Sequence, residues 1–135
     1  MVEAVRLSLM VRPNDFDRLG HVNNAVALEY LEAGRLHWAR HHSLVLGRIA
    51  AVVSRAEIDY LRPIEGSQVE VHTRLEDALE PDEINFKVCF VQHVLEPGAD
   101  LGQPLVRALV HVAFVDTADG TLASAQRYLA QGHDP

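Results

Sequence analysis

The chain has 135 residues, of which 48% are hydrophobic and 23% charged, and a net charge of −7. That length suits one domain with a core of its own and is too short for two, and the apolar content excludes a disordered chain. No run reaches the roughly 18 apolar residues of a membrane helix, the acidic balance argues against a nucleic-acid partner, and an alternating start containing Glu3 is unlike a signal core, so a cytoplasmic protein is expected.

AVRLSLMVR places Val5, Leu7, Leu9 and Val11 on one face and Arg6, Ser8 and Arg12 on the other, which predicts a half-buried strand. Next comes NDFDRLGHVNN at 14 to 24, a connection crowded with turn-forming and reactive groups. Asn24 is the expected N-cap of a helix over AVALEYLEAGRLHWARHH. In that helix Val26, Leu28, Tyr30, Leu31, Leu36 and Trp38 spread widely around the axis and leave only a narrow polar stripe, so a mostly buried helix is predicted. Glu32 and Arg35 at i, i+3 read as an ion pair. His37 and His41 stand one turn apart beside His42, but no carboxylate accompanies them, so no metal is expected.

RIAAVVSRAEIDYL predicts a strand that stops at Pro63. SQVEVHTRLEDA alternates, with Val69, Val71, Thr73 and Leu75 on one face; EPDE turns the chain, and INFKVCFV alternates through Ile84, Phe86, Val88 and Phe90. Cys89, the sole cysteine, reads as a small buried thiol with no disulfide partner. LEPGADLGQP is a loop, LVRALVHVAFV is apolar on nearly both faces as a central strand would be, and ASAQRYLAQ predicts a short terminal helix. One strand, a long helix and four more strands make an α+β domain over residues 1–135, with a long central helix wrapped by a curved antiparallel sheet of about five strands.

The motif Asp15-x-Asp17-x-x-Gly20-His21-Val22-Asn23-Asn24, followed on the helix by Tyr30, Leu31, Glu32 and Arg35, resembles the hotdog-fold acyl thioesterases of the 4-hydroxybenzoyl-CoA thioesterase type. IDYLRPIEGSQVEV at 58 to 71 is similar to the family's segment after the helix, so the resemblance runs over nearly the whole chain. It implies the hotdog fold and hydrolysis of an acyl-CoA or acyl carrier protein thioester. It implies Asp17 as nucleophile or general base, a backbone N–H near Asn24 as donor to the carbonyl oxygen, and a helix acid, Glu32, beside the catalytic water. His21 matches the histidine of the HVNN subgroup, but Leu19 stands where that subgroup places an asparagine, so the reading rests on Asp17 with His21 as helper.

The same roles follow from chemistry. Thioester hydrolysis needs a carboxylate aimed at the carbonyl carbon and donors aimed at its oxygen, and a loop entering a helix offers unpaired N–H groups at the positive end of the dipole. Partial burial would raise the Asp17 pKa; His21 and the helix end would lower it. Asp15, Asn14, Asn23 and the Asn24 side chain read first as turn and cap residues. The expected substrate-binding residues are Asn23, Tyr30, Glu32 and Tyr60, with Trp38 and Phe114 as further pocket aromatics. Arg55, Arg62, Arg74, Lys87 and Arg107 are the phosphate-holding candidates.

One sheet around one helix leaves open edges, which predicts a homodimer or homotetramer, and the family's sites lie at that interface. No cofactor, metal, nucleic acid or membrane is expected. The alternatives are a hotdog dehydratase or hydratase, and a non-catalytic acyl-thioester binder.

Overall fold

The first strand, β1 (Val5–Met10), turns its alternate residues inward as its pattern requires. A computed structural model describes residues 2–133. A 3-10 turn (Pro13–Asp15) leads to the long helix α1 (Asn24–His41), then β2 (Ile49–Tyr60), β3 (Gln68–Leu75), β4 (Lys87–Leu95), β5 (Val106–Asp116), the two-residue β6 (Leu122–Ala123) and α2 (Ala125–Ala130). The five long strands form one antiparallel sheet in the order β1-β3-β4-β5-β2, and β6 pairs with the end of β5. A curved antiparallel sheet holding one long helix is the hotdog arrangement that the resemblance implied.

The alternation of β3 and β5 explains the core. Val69, Val71 and Thr73 of β3, Phe90, Gln92 and Val94 of β4 and Val106, Ala108, Val110, Val112 and Phe114 of β5 are all buried beneath α1 and α2. Trp38 meets Phe90 edge-on at 4.9 Å, and Phe114 packs on Tyr128 of α2 at 4.7 Å. Trp38 and Phe114 are each 1% exposed, so both are core residues and not the pocket aromatics expected. Gly34 is what lets α1 approach so closely, because a Cβ there would lie 2.6 Å from Val71 Cγ1 and 2.9 Å from Thr73 Oγ1.

Four expectations shift. The helix N-cap is Asn23, not Asn24. β4 begins at Lys87 and runs on to Leu95 because its ladder with β3 continues to Glu70, leaving Ile84 and Phe86 exposed before it. Within one chain α1 buries a single side, Ala27, Tyr30, Leu31, Gly34 and Trp38, and leaves Leu28 and Leu36 exposed. Arg35 bonds Gln92 on β4, and no Glu32–Arg35 ion pair forms among the described residues.

At the far end of the sheet the buried Asp116 takes bonds from Arg48 at 2.6 Å and Arg127 at 3.2 Å, tying the entry of β2, the exit of β5 and α2 together.

Candidate active site

The crowded loop folds in two layers. Asp15, at the end of the 3-10 turn, is 2% exposed, and its carboxylate accepts from the Tyr30 hydroxyl at 2.6 Å, from the Arg12 N–H at 2.9 Å and from Arg12 Nε. These donors favour the charged form and hold the carboxyl below its ordinary range against the opposing cost of burial, while burial and the adjacent carboxylate push the Tyr30 hydroxyl pKa far up. Asp15 also accepts the Asn23 N–H through its carbonyl at 2.9 Å. One residue thus joins the strand exit, the helix entry and the helix body.

Beyond it the chain makes a small hairpin. Phe16 pairs with Val22, and the Asp17 N–H donates to the His21 carbonyl at 2.7 Å. Gly20, at φ +80, supplies the left-handed residue this tight return requires. Asp17 is exposed at the tip, and its Oδ1 accepts the N–H groups of Leu19 at 2.8 Å and His21 at 3.1 Å. The two bonds hold its carboxyl below the ordinary value, with the nearby His21 ring and Arg18 adding to the effect. They also fix the carboxylate by one oxygen and leave Oδ2 without a hydrogen bond among the described residues.

Asn23 organises the helix start. Its side chain accepts the Ala25 N–H at 2.8 Å, and its carbonyl accepts those of Val26 at 2.9 Å and Ala27 at 3.1 Å. Of the four N–H groups that open α1, only that of Asn24 has no acceptor among the described residues. The Asn24 carbonyl accepts the Tyr60 hydroxyl at 2.9 Å, which brings the end of β2 to the same place. The Val22 N–H bonds the Ile64 carbonyl just after it.

The structure therefore gathers Asp17, His21, Asn23, Asn24 and Tyr60 around the helix entry. Tyr30 lies below them, 5% exposed, with its hydroxyl turned to Asp15. Glu32 is exposed two turns further along α1. Along a strand of about 3.3 Å per residue, Asp17 sits two pairs up the hairpin from the Asp15–Asn23 link, so in one chain it stands on open surface. A cavity of about 800 Å³ lies at the opposite end of α1, lined by His42, Leu44, Leu75 and Leu129, and does not reach the loop.

Of the phosphate candidates, Arg55 and Arg107 are engaged by Glu57 at 2.6 Å and Asp59 at 3.2 Å, Arg62 by the Gln103 carbonyl and Arg74 by its own strand end. His41 and His42 reach Glu3, and no cluster of three metal-ligating side chains occurs among the described residues. Among the described residues no helix is long and apolar enough to cross a membrane.

Sequence reasoning undervalued Asp15 and missed its link to Tyr30. The signal was the spacing Arg12-Pro13-Asn14-Asp15, in which an acid three residues after a helix cap returns to the cap N–H. The bond to Tyr30, fifteen residues on, leaves no local mark.

The profile of the thioesterase-like superfamily matches residues 11–131. Among solved structures, YbaW of Escherichia coli, designated a probable thioesterase, is 25% identical over 94% of both chains with a TM-score of 0.69. The 1,4-dihydroxy-2-naphthoyl-CoA thioesterase of Synechocystis is 17% identical with a TM-score of 0.74, over 96% of this chain and 95% of that one. The PA2801 protein of Pseudomonas aeruginosa is 21% identical with a TM-score of 0.74, over 89% of this chain and 90% of that one. The last two likenesses establish a shared fold and nothing finer. No curated protein matches the chain.

Proposed function

The chain belongs to the thioesterase-like superfamily, and on that premise we propose that it hydrolyses acyl-CoA or acyl carrier protein thioesters to a free acid and a thiol. Water adds across the carbonyl–sulfur bond, and the thiol leaves with a proton. The observation that carries this reading is the unpaired Asn24 N–H. It points out of the positive end of an 18-residue helix, where a carbonyl oxygen becoming negative is stabilised, and Asn23 has already satisfied its neighbours.

Asp17 supplies the other half. Held below its ordinary pKa it is ionised at neutral pH, as both direct attack on the carbonyl carbon and proton abstraction from water require. Its Oδ1 is anchored, and Oδ2 faces the substrate. His21 holds that carboxylate through its backbone N–H, and its ring stands beside it. Tyr60 fixes the Asn24 peptide and, being 43% exposed, lines the path of the acyl or pantetheine chain. Glu32 belongs to the same side of the helix, and Tyr30 supports the site from beneath through Asp15.

A second copy completes the site in this proposal. β2 is one of the two edges of the sheet, twelve residues long and exposed over most of its length, with Val52 and Val53 49% and 46% exposed, and Leu28 and Leu36 stand bare on α1. Pairing β2 with its symmetry mate in a homodimer, or a tetramer built from two such dimers, extends the sheet, covers these residues and encloses the Asp17 loop.

The test is thiol release from a panel of acyl-CoAs and acyl carrier protein thioesters, read beside hydration of enoyl-CoA. Thiol release without hydration, lost by about 10²-fold or more in Asp17→Asn, is the expected result. Hydration without thiol release, or a silent protein, refutes it.

A further inference from the structure

Arg35 presents a guanidinium with no acidic partner in bonding range among the described residues. It is half-buried, burial lowers its guanidinium pKa, and Glu32 acts on it only through space. Its partner among the described residues is neutral: Nη1 donates to Gln92 Oε1 at 3.0 Å. A guanidinium carries five N–H donors in a planar fork. Most of this fork has no acceptor among the described residues.

The support behind it is built rather than incidental. Gln92 is fully buried, and its Nε2 donates both hydrogens, to the Leu31 carbonyl at 2.8 Å and to Thr73 Oγ1 at 2.9 Å. With the amide oriented from behind, Oε1 is turned to Arg35. Gly34 makes room for this, since a Cβ there would meet Gln92 Nε2 at 3.0 Å.

The helix relates this fork to the proposed oxyanion donor. Arg35 follows Asn24 by eleven residues, which at 3.6 residues per turn is about 20° around the axis and about 16 Å along it, and helix side chains lean back toward the N-terminus. Tyr30, bonded to Asp15, and His41, bonded to Glu3, mark the β1 side of α1. Arg35 shares the other side with Leu28 and Glu32. An acyl chain with its thioester carbonyl at Asn24 and its body along Leu28 ends beside the guanidinium.

We propose that Arg35 holds the far end of the acyl group, and that the preferred substrate is the thioester of a dicarboxylic acid whose free carboxylate takes two parallel N–H···O bonds from the locked guanidinium. The inference rests on the thioesterase reading. Hydrolysis then releases the free diacid and the thiol, and nothing besides water is consumed. Arg35 is thereby a specificity residue, removed from the reacting atoms.

The test compares kcat/KM for acyl-CoAs of matched chain length ending in a carboxylate or a methyl group, in the wild type, Arg35→Met and Arg35→Lys. The wild type should prefer the carboxylate-ended series by about 10- to 100-fold, the range of a hydrogen bond to a charged group. Arg35→Met should lose that preference, and Arg35→Lys should keep part of it, because an ammonium retains the charge without the fork. Equal rates on the two series in the wild type overturn the proposal, as does an Arg35→Met that depresses both series alike, which would leave Arg35 as a mere support for Gln92. If Arg35→Met does not fold, the wild-type preference and its change in Arg35→Lys decide. Thiol release with no carboxylate preference spares the thioesterase reading, whereas no thiol from either series removes that reading itself.

Discussion

Two aspartates separated by one residue should divide stability from chemistry. Asp15→Ala leaves the buried Tyr30 hydroxyl without its 2.6 Å acceptor, at a cost of about 1–3 kcal/mol. It also removes the acceptor of the Arg12 N–H, about 1 kcal/mol, while the ion pair to the exposed Arg12 guanidinium is screened by solvent and adds little. Together these give about 3 kcal/mol, a large share of the roughly 5–15 kcal/mol typical of a whole domain. Asp17→Asn behaves oppositely. An asparagine oxygen still accepts the Leu19 and His21 N–H groups, so the hairpin survives and the stability change stays within about 0.5 kcal/mol, as for an exposed position. The lost charge should cost about 10²-fold or more in thiol release. Urea unfolding of both variants, with activity measured where each is folded, gives the comparison. A third variant, Tyr30→Phe combined with Asp15→Ala, should destabilise by less than the sum of the two single changes, since each removes the other's partner. The reasoning fails if Asp15→Ala shifts stability by less than about 1 kcal/mol, or if the folded Asp15 variant loses activity while Asp17→Asn keeps it.

Gly34→Ala forces a methyl group against Val71, Thr73 and Gln92 and should destabilise by about 1–3 kcal/mol, readable as a lower urea midpoint. Asn23→Ala removes a side-chain cap worth about 1 kcal/mol and frees the Ala25 N–H beside that of Asn24, so a fall in kcat larger than the stability loss is expected in rate assays. The Asp17 pKa is lowered in the folded protein, so the acid limb of kcat/KM should fall at a pH below the ordinary aspartate value of about 3.9. Asp116, held at about 2 by Arg48, the Ala118 N–H and Arg127 against the opposing cost of burial, has a folded pKa below its unfolded one. Its stabilising contribution is therefore complete above about pH 4 and lost as pH falls toward 2, and Asp116→Asn should flatten that part of the urea midpoint against pH.

What the sequence reveals depends on whether the deciding contact is local. β1 and β3 are legible because one buried face imposes a period of two, and the N-terminal boundary of α1 is legible to within a residue. Which asparagine caps it is not, because Asn23 and Asn24 offer the same chemistry. The choice is made by the Val22 bond to Ile64 and the Asn23 bond to Asp15, the first of them spanning 42 positions of sequence. Glu32 and Arg35 look like an ion pair by spacing, yet the sheet supplies Gln92 from 57 positions away and the guanidinium bonds to it instead. The same limit applies to Asp15 and Asp17, chemically identical until a tyrosine on the helix selects one for burial.

The long helix gives the most instructive mismatch. Its apolar residues encircle it, and a helix hydrophobic on most sides must be covered on most sides. The sheet of its own chain reaches only the side holding Ala27, Leu31, Gly34 and Trp38. Leu28 and Leu36 are left at 44% and 40% exposed, and the unpaired edge of β2 is left bare as well. Pattern encodes how much surface must be hidden without encoding what hides it. The surplus that makes "mostly buried" wrong for one chain is the same surplus a symmetric second copy would use, and it lies on the side of α1 that leads from Asn24 past Leu28. A binding path there would be walled by both copies, so substrate affinity and assembly should weaken together when Leu28 is replaced by a charged residue. If Leu28→Asp instead sediments as wild type and still binds and turns over acyl-CoA normally, that face belongs neither to the interface nor to the path.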